Sequence, residues 1–127
     1  MTNFLNNRRL LIKPVFTIGA ENTNAINVAI QLTDRLNGGD LTERAAIQWY
    51  LSADTNGDAI ATAPSGGIAI GTDGLLIEHS NNLAGVAISE SDGDIDVTIT
   101  ESTAKSFYLI LIMPDGKLYS SGAITFA

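Results

Sequence analysis

With 127 residues, 45% of them hydrophobic and 17% charged, the chain is expected to fold as one globular domain with its own core rather than stay disordered. It contains no cysteine, which excludes a disulfide framework, thiolate chemistry and cysteine-built zinc sites; no apolar run approaches the about 20 residues of a membrane-spanning helix. The net charge of −7 argues against a general nucleic-acid partner, whose phosphates need a basic surface.

The first fifteen residues fit two readings. Phe4, Leu5, Leu11 and Ile12 share one face if the segment is a short helix capped by Thr2. An extended edge segment fits as well, because proline (here Pro14) is tolerated at sheet edges. No signal peptide is expected, since Leu10-Leu11-Ile12 is short and Pro14 follows it. Val15 to Ile18 reads as a first strand ended by Gly19. Ala25 to Thr33 alternates cleanly, with Ile26, Val28, Ile30 and Leu32 on one face, as in a half-buried antiparallel strand. Asn37-Gly38-Gly39-Asp40 is a loop signal, and residues 41–46 are read as room for one helical turn. Ala46 to Ala53 alternates again around Trp49, the only tryptophan, expected to be a core anchor.

A loop follows from Asp54 to Gly67. Short strands are then expected at Ile68–Ile70, Leu75–His79, Leu83–Glu90 and Asp94–Thr100, separated by Gly71-Thr72-Asp73-Gly74, Asn81-Asn82 and Ser91-Asp92-Gly93. Phe107 to Met113 is an unbroken apolar run closed by Pro114-Asp115-Gly116. One parity of that strand is Phe107, Leu109, Leu111 and Met113; the other is Tyr108, Ile110 and Ile112. Both parities are apolar, so both faces need cover. Proline presets the first turn angle and glycine takes the left-handed position, which makes a hairpin with a last strand at Lys117–Phe126. Gly122 within that strand suggests a bulge.

Eight or nine short strands without a long helical pattern indicate an all-β fold, an antiparallel β-sandwich. A central tryptophan strand and a closing hairpin resemble the immunoglobulin-like architecture, although its inter-sheet disulfide is missing; a jelly roll or small barrel is the alternative. The expected organisation is residues 1–20 as an amino-terminal arm or edge segment and residues 21–127 as one sandwich domain.

The residues offer little for catalysis. His79 is the only histidine, and no serine sits in a nucleophile-elbow pattern. The glycines lack the following helix and the lysine of a phosphate cradle. Asp54, Asn56 and Asp58 match the opening of a calcium loop, but Ala59 and Ser65 stand where its glycine and glutamate belong. Asp92, Asp94 and Asp96 form a second acidic row, read as an outward strand face. No enzyme activity, metal or cofactor is expected. Charge is unevenly placed: residues 1–20 hold Arg8, Arg9 and Lys13 and no acid, for +3, while residues 21–127 carry −10. Such a basic segment suits an arm that docks on an acidic surface.

A resemblance to one family is carried, in chain order, by Ala63-Pro64-Ser65-Gly66-Gly67, Gly71-Thr72-Asp73-Gly74-Leu75-Leu76-Ile77, Asp92-Gly93-Asp94-Ile95-Asp96, Pro114-Asp115-Gly116-Lys117-Leu118 and Ser121-Gly122-Ala123-Ile124-Thr125-Phe126. Over roughly residues 25–127 the chain resembles small virion proteins of tailed bacteriophages, of the head decoration, cement or head-fibre-like type. The resemblance implies a structural protein of the capsid surface, made in the host bacterial cytoplasm, that stabilises the shell by binding the major capsid protein. It carries no catalytic residues over and does not cover residues 1–20. Phe4, Leu5, Arg8, Arg9, Leu11 and Lys13 are then the expected capsid-binding residues. Tyr108, Ile110 and Ile112 are the expected self-association face of a homotrimer, because capsids offer three-fold positions. Neither a nucleic acid nor a membrane is an expected partner. The alternative is a carbohydrate- or receptor-binding sandwich of a fibre or tail, with Tyr50 as its most available aromatic.

Overall fold

The computed structural model describes residues 11–127. In chain order the strands are β1 (Ile12–Ile18), β2 (Ala25–Asp34), β3 (Ala46–Ser52), β4 (Gly67–Ile70), β5 (Leu75–Ser80), β6 (Ala84–Ile88), β7 (Asp94–Thr100), β8 (Lys105–Ile112) and β9 (Leu118–Phe126). They form a four-stranded sheet, ordered β1-β2-β7-β4, and a five-stranded sheet, ordered β5-β6-β3-β8-β9. Every neighbouring pair is antiparallel. The two sheets share one buried apolar cluster, so the fold is the β-sandwich expected from the alternating runs.

The core follows strand parity. Ile26, Val28, Ile30 and Leu32 of β2 and Ile95, Val97 and Ile99 of β7 face Ile47, Trp49 and Leu51 of β3 and Phe107, Leu109 and Leu111 of β8. Phe107 meets Phe126 edge to face, with ring centroids 6.0 Å apart, the arrangement aromatic quadrupoles favour. The β8–β9 hairpin turns at Pro114-Asp115-Gly116. Gly116 has φ +86°, its N–H bonds the Met113 carbonyl at 2.8 Å, and the Lys117 N–H bonds Asp115 Oδ1 at 3.1 Å. The bulge expected at Gly122 is present: the register slips between Tyr108 and Ile110, and the Leu109 N–H donates to Ser121 Oγ at 3.0 Å in place of a ladder carbonyl.

Of the two readings of the amino-terminal segment, residues 12–18 take the extended edge one; they pair along their whole length with β2 and make the edge of the four-stranded sheet. One local expectation resolves differently. Residues 41–46 form no helical turn. The Leu41 N–H bonds the Leu32 carbonyl, and the Ala45 N–H bonds Ser89 Oγ, so their backbone donors are committed across the fold. The path between β3 and β7 crosses from one sheet to the other and back. After β3 the chain enters the other sheet as β4 beside β7, then returns as the edge strand β5 before β6 takes the place next to β3.

The β4–β5 crossover is held by one side chain. Asp96 Oδ1 accepts from the Thr72 N–H at 2.6 Å and the Asp73 N–H at 3.1 Å, and Oδ2 accepts from Thr72 Oγ1 at 3.1 Å. Burial pushes the Asp96 carboxyl up, but the Asp73 and Thr72 donors outweigh it and hold the group below its ordinary range.

Candidate functional site

The two outer sheet faces differ in chemistry. On the four-stranded sheet the outward positions are Lys13 and Thr17 of β1, Asn27 and Gln31 of β2, and Asp94, Asp96, Thr98 and Thr100 of β7, with Val15, Ala25, Ala29 and Ala69 as apolar exceptions. That is the ordinary solvated face of an antiparallel sheet. The five-stranded sheet is different. Register aligns Ile77 with Val86, Val86 with Gln48, Gln48 with Ile112, and Ile112 with Leu118, giving one row across all five strands. Beside it runs a second row of Leu75, Ile88 and Ala46. Leu75, Ile77 and Leu118 are 54%, 45% and 48% exposed, while Val86, Ile88 and Ile112 are half-buried. Gln48, on the middle strand, is the one polar side chain in these two rows. A groove of about 290 Å³ lined by Ala46, Gln48, Ile112, Met113, Pro114 and Gly116 opens at the end of the face that holds the β8–β9 turn.

The opposite end of this face is covered by the chain itself. The loop after β3 folds back over the sheet, and a Cβ at Gly57 would lie 3.4 Å from Ile110 Cδ1. The Tyr50 hydroxyl donates to the Gly57 carbonyl, and Thr55 Oγ1 donates to Ser120 Oγ at 3.3 Å. Burial, then the Asp54 and Asp58 carboxylates, push the Tyr50 hydroxyl up and keep it a donor. Ile110 is left 1% exposed. The expected face of Tyr108, Ile110 and Ile112 is therefore corrected: Ile110 is sealed by the loop, Tyr108 is half-buried opposite Ser52 and Ala123, and Ile112 belongs to the open apolar row.

Of the residues expected to bind the capsid, two are described. Leu11 is half-buried, its carbonyl accepting from the Arg35 N–H at 2.9 Å, and Lys13 is exposed on β1. Phe4, Leu5, Arg8 and Arg9 lie outside the described residues. Near Leu11, Arg35 pairs with Asp115 at 2.8 Å and ties the β2–β3 loop to the β8–β9 turn.

The acidic rows are occupied internally. Asp54 Oδ1 accepts from the Gly57 N–H at 2.9 Å and the Asp58 N–H at 3.3 Å, closing the loop that covers Ile110. The Asp58 carboxyl also bonds that of Asp54, which lowers Asp54 and raises Asp58. Burial, then the Asp92 and Asp73 carboxylates, push Asp94 up. Among the described residues no group of three or more His, Cys, Asp or Glu side chains is placed to hold a metal ion. His79 is exposed on the edge strand β5.

Leu75, Ile77, Val86, Ile88 and Leu118 escaped the reading of the sequence as site residues. The signal available was parity: Leu75-Leu76-Ile77 and Val86-Ala87-Ile88 are apolar on both faces, as Phe107–Met113 is, whereas Asp94–Thr100 alternates with polar residues. That these strands share one sheet is not written in any of them singly. The chain matches no protein-family model and no curated protein by sequence.

Proposed function

We propose that the chain is a structural assembly protein that decorates and stabilises a bacteriophage capsid, as the resemblance implies, by binding the major capsid protein on the outside of the head. The observation that carries this reading is the pair of uncharged apolar rows on the outer face of the five-stranded sheet, a surface that marks a chain made for protein–protein assembly and is unusual on an isolated sandwich. The charge asymmetry supports it. The amino-terminal end, with Arg8, Arg9, Leu11 and Lys13, is basic and docks on the shell, while the acidic body keeps decorated particles apart. The carbohydrate-binding alternative draws no support from Tyr50, whose hydroxyl is engaged by the loop over its own sheet.

Co-sedimentation with undecorated heads tests the proposal. The wild-type chain should pellet with heads in a saturable way and raise their melting temperature. Arg8→Glu with Arg9→Glu should weaken binding most at low salt, because exposed attractions are screened over roughly 8–10 Å at physiological ionic strength. Absence of saturable binding to heads, with clear retention on a glycan array, would transfer the reading to the alternative.

A further inference from the structure

We propose that the open face of the five-stranded sheet is closed by the same face of a second copy, related by a two-fold axis along the row Ile77, Val86, Gln48, Ile112 and Leu118. The inference rests on reading this face as a contact surface and is independent of head binding.

Charge selects the occupant. Residues 21–127 carry −10, yet no outward side chain in the two rows is ionised. Within these rows a partner recruited by charge has nothing to grip, whereas a second copy brings two equally uncharged rows. Asp94 and Asp96 sit on the outer face of the opposite sheet, so pairing through the five-stranded sheet leaves these like charges on the far sides of the two copies.

Gln48 fits the same arrangement. It is exposed in the middle strand, inside an otherwise apolar surface. A primary amide both donates and accepts, so on a two-fold axis it is satisfied by its own counterpart.

Relief then decides the direction of the axis. The loop at Gly57 rises over one end of the face, above Tyr50 and Ile110, and the groove at Ala46, Ile112 and Pro114 lies at the other. An axis in the contact plane and perpendicular to the strands exchanges the two ends. It sets each loop beside the partner's groove, where an axis parallel to the strands would set loop against loop. A single flat face is used up by one such contact, so the assembly closes as a pair; a three-fold ring needs two different patches. Five strands about 4.8 Å apart give a face about 24 Å wide. Two or three exposed rows make it a small interface at the weak end of specific ones, so pairing is expected at roughly 10–100 µM.

Sedimentation of the full chain across that range should show conversion from one chain mass to two. Ile77→Lys with Leu118→Lys should leave one chain mass throughout. Gln48→Glu, at an exposed position that does not threaten folding, should raise the dissociation constant at least about tenfold by setting two carboxylates together. Ala69→Lys, on the opposite sheet, should change nothing. A single chain mass at about 100 µM, a three-chain mass, or a pair indifferent to both Gln48→Glu and the double lysine variant would overturn the proposal. Head co-sedimentation of the Gln48→Glu variant is read separately. Retained head binding with lost pairing confirms that the pair and the docking are different contacts. Loss of head binding together with pairing would show that the heads take up the paired form; the pair itself stands or falls on sedimentation.

Discussion

Glu101 shows how a single side chain holds two loops together. It lies at the end of β7 and is 2% exposed. Its carboxylate accepts from the Ser65 N–H at 2.9 Å, the Thr103 N–H at 3.0 Å and Thr103 Oγ1 at 2.6 Å, linking the β3–β4 loop to the β7–β8 turn. The Thr103 hydroxyl first, then the Ser65 N–H, lower its pKa from the ordinary 4.5 to about 2 against the opposing effect of burial. A folded value below the unfolded one means stability that is present above about pH 4.5 and is lost as pH falls toward about 2. Thermal melts should show this loss across that window, and Glu101→Gln should flatten it. Glu101→Ala, which orphans buried donors, should cost about 2–3 kcal/mol at neutral pH by chemical denaturation. Ser65, Thr103 and Glu101 are unremarkable as letters. Only the meeting of two loops 36 residues apart makes the glutamate a buried acceptor, which is why nothing in the sequence marked it.

At the scale of elements, strands were legible and their neighbours were not. Period-two alternation identified β2, β3 and β7, and the Pro-Asp-Gly turn identified the β8–β9 hairpin, because both signals are local. The path from β3 through β4 and β5 to β6 depends on which edges remain open once the central strands have paired, so no local pattern carries it. The β5–β6 pair is the weak point of that path. A Cβ at Gly85 would stand 1.8 Å from the Ile77 carbonyl oxygen, and the register slips between Glu78 and Ser80 next to it. Gly85→Ala therefore forces β5 off the sheet edge, and a destabilisation of about 1–3 kcal/mol is expected. Hydrogen exchange should accelerate first in residues 75–80, with β2 and β7 protected as before; uniform loss across both sheets would count against so local an effect.

For the whole molecule, salt should act in opposite senses on stability and on docking. An excess of −10 over residues 21–127 repels itself in the folded state, so raising ionic strength from about 0.01 M to about 1 M, which shortens the screening length from about 30 Å to about 3 Å, should raise the melting temperature while weakening attachment through the basic end. A melting temperature that falls with salt would point to attractive pairs such as Arg35 with Asp115 outweighing the repulsion. Composition and patterning alone determined that the fold is all-β, that Trp49 and the Phe107 parity build its core, and that Phe107–Met113 requires cover on both sides. Those conclusions follow from side-chain period and from the cost of exposing apolar area, which belong to each strand. Tertiary structure decided what the covers are. It brought the Gly57 loop over Ile110, and it aligned Ile77, Val86, Gln48, Ile112 and Leu118 into one open row. Each member of that row comes from a different strand, and sheet register, a property of pairs rather than of single strands, is what makes them a surface.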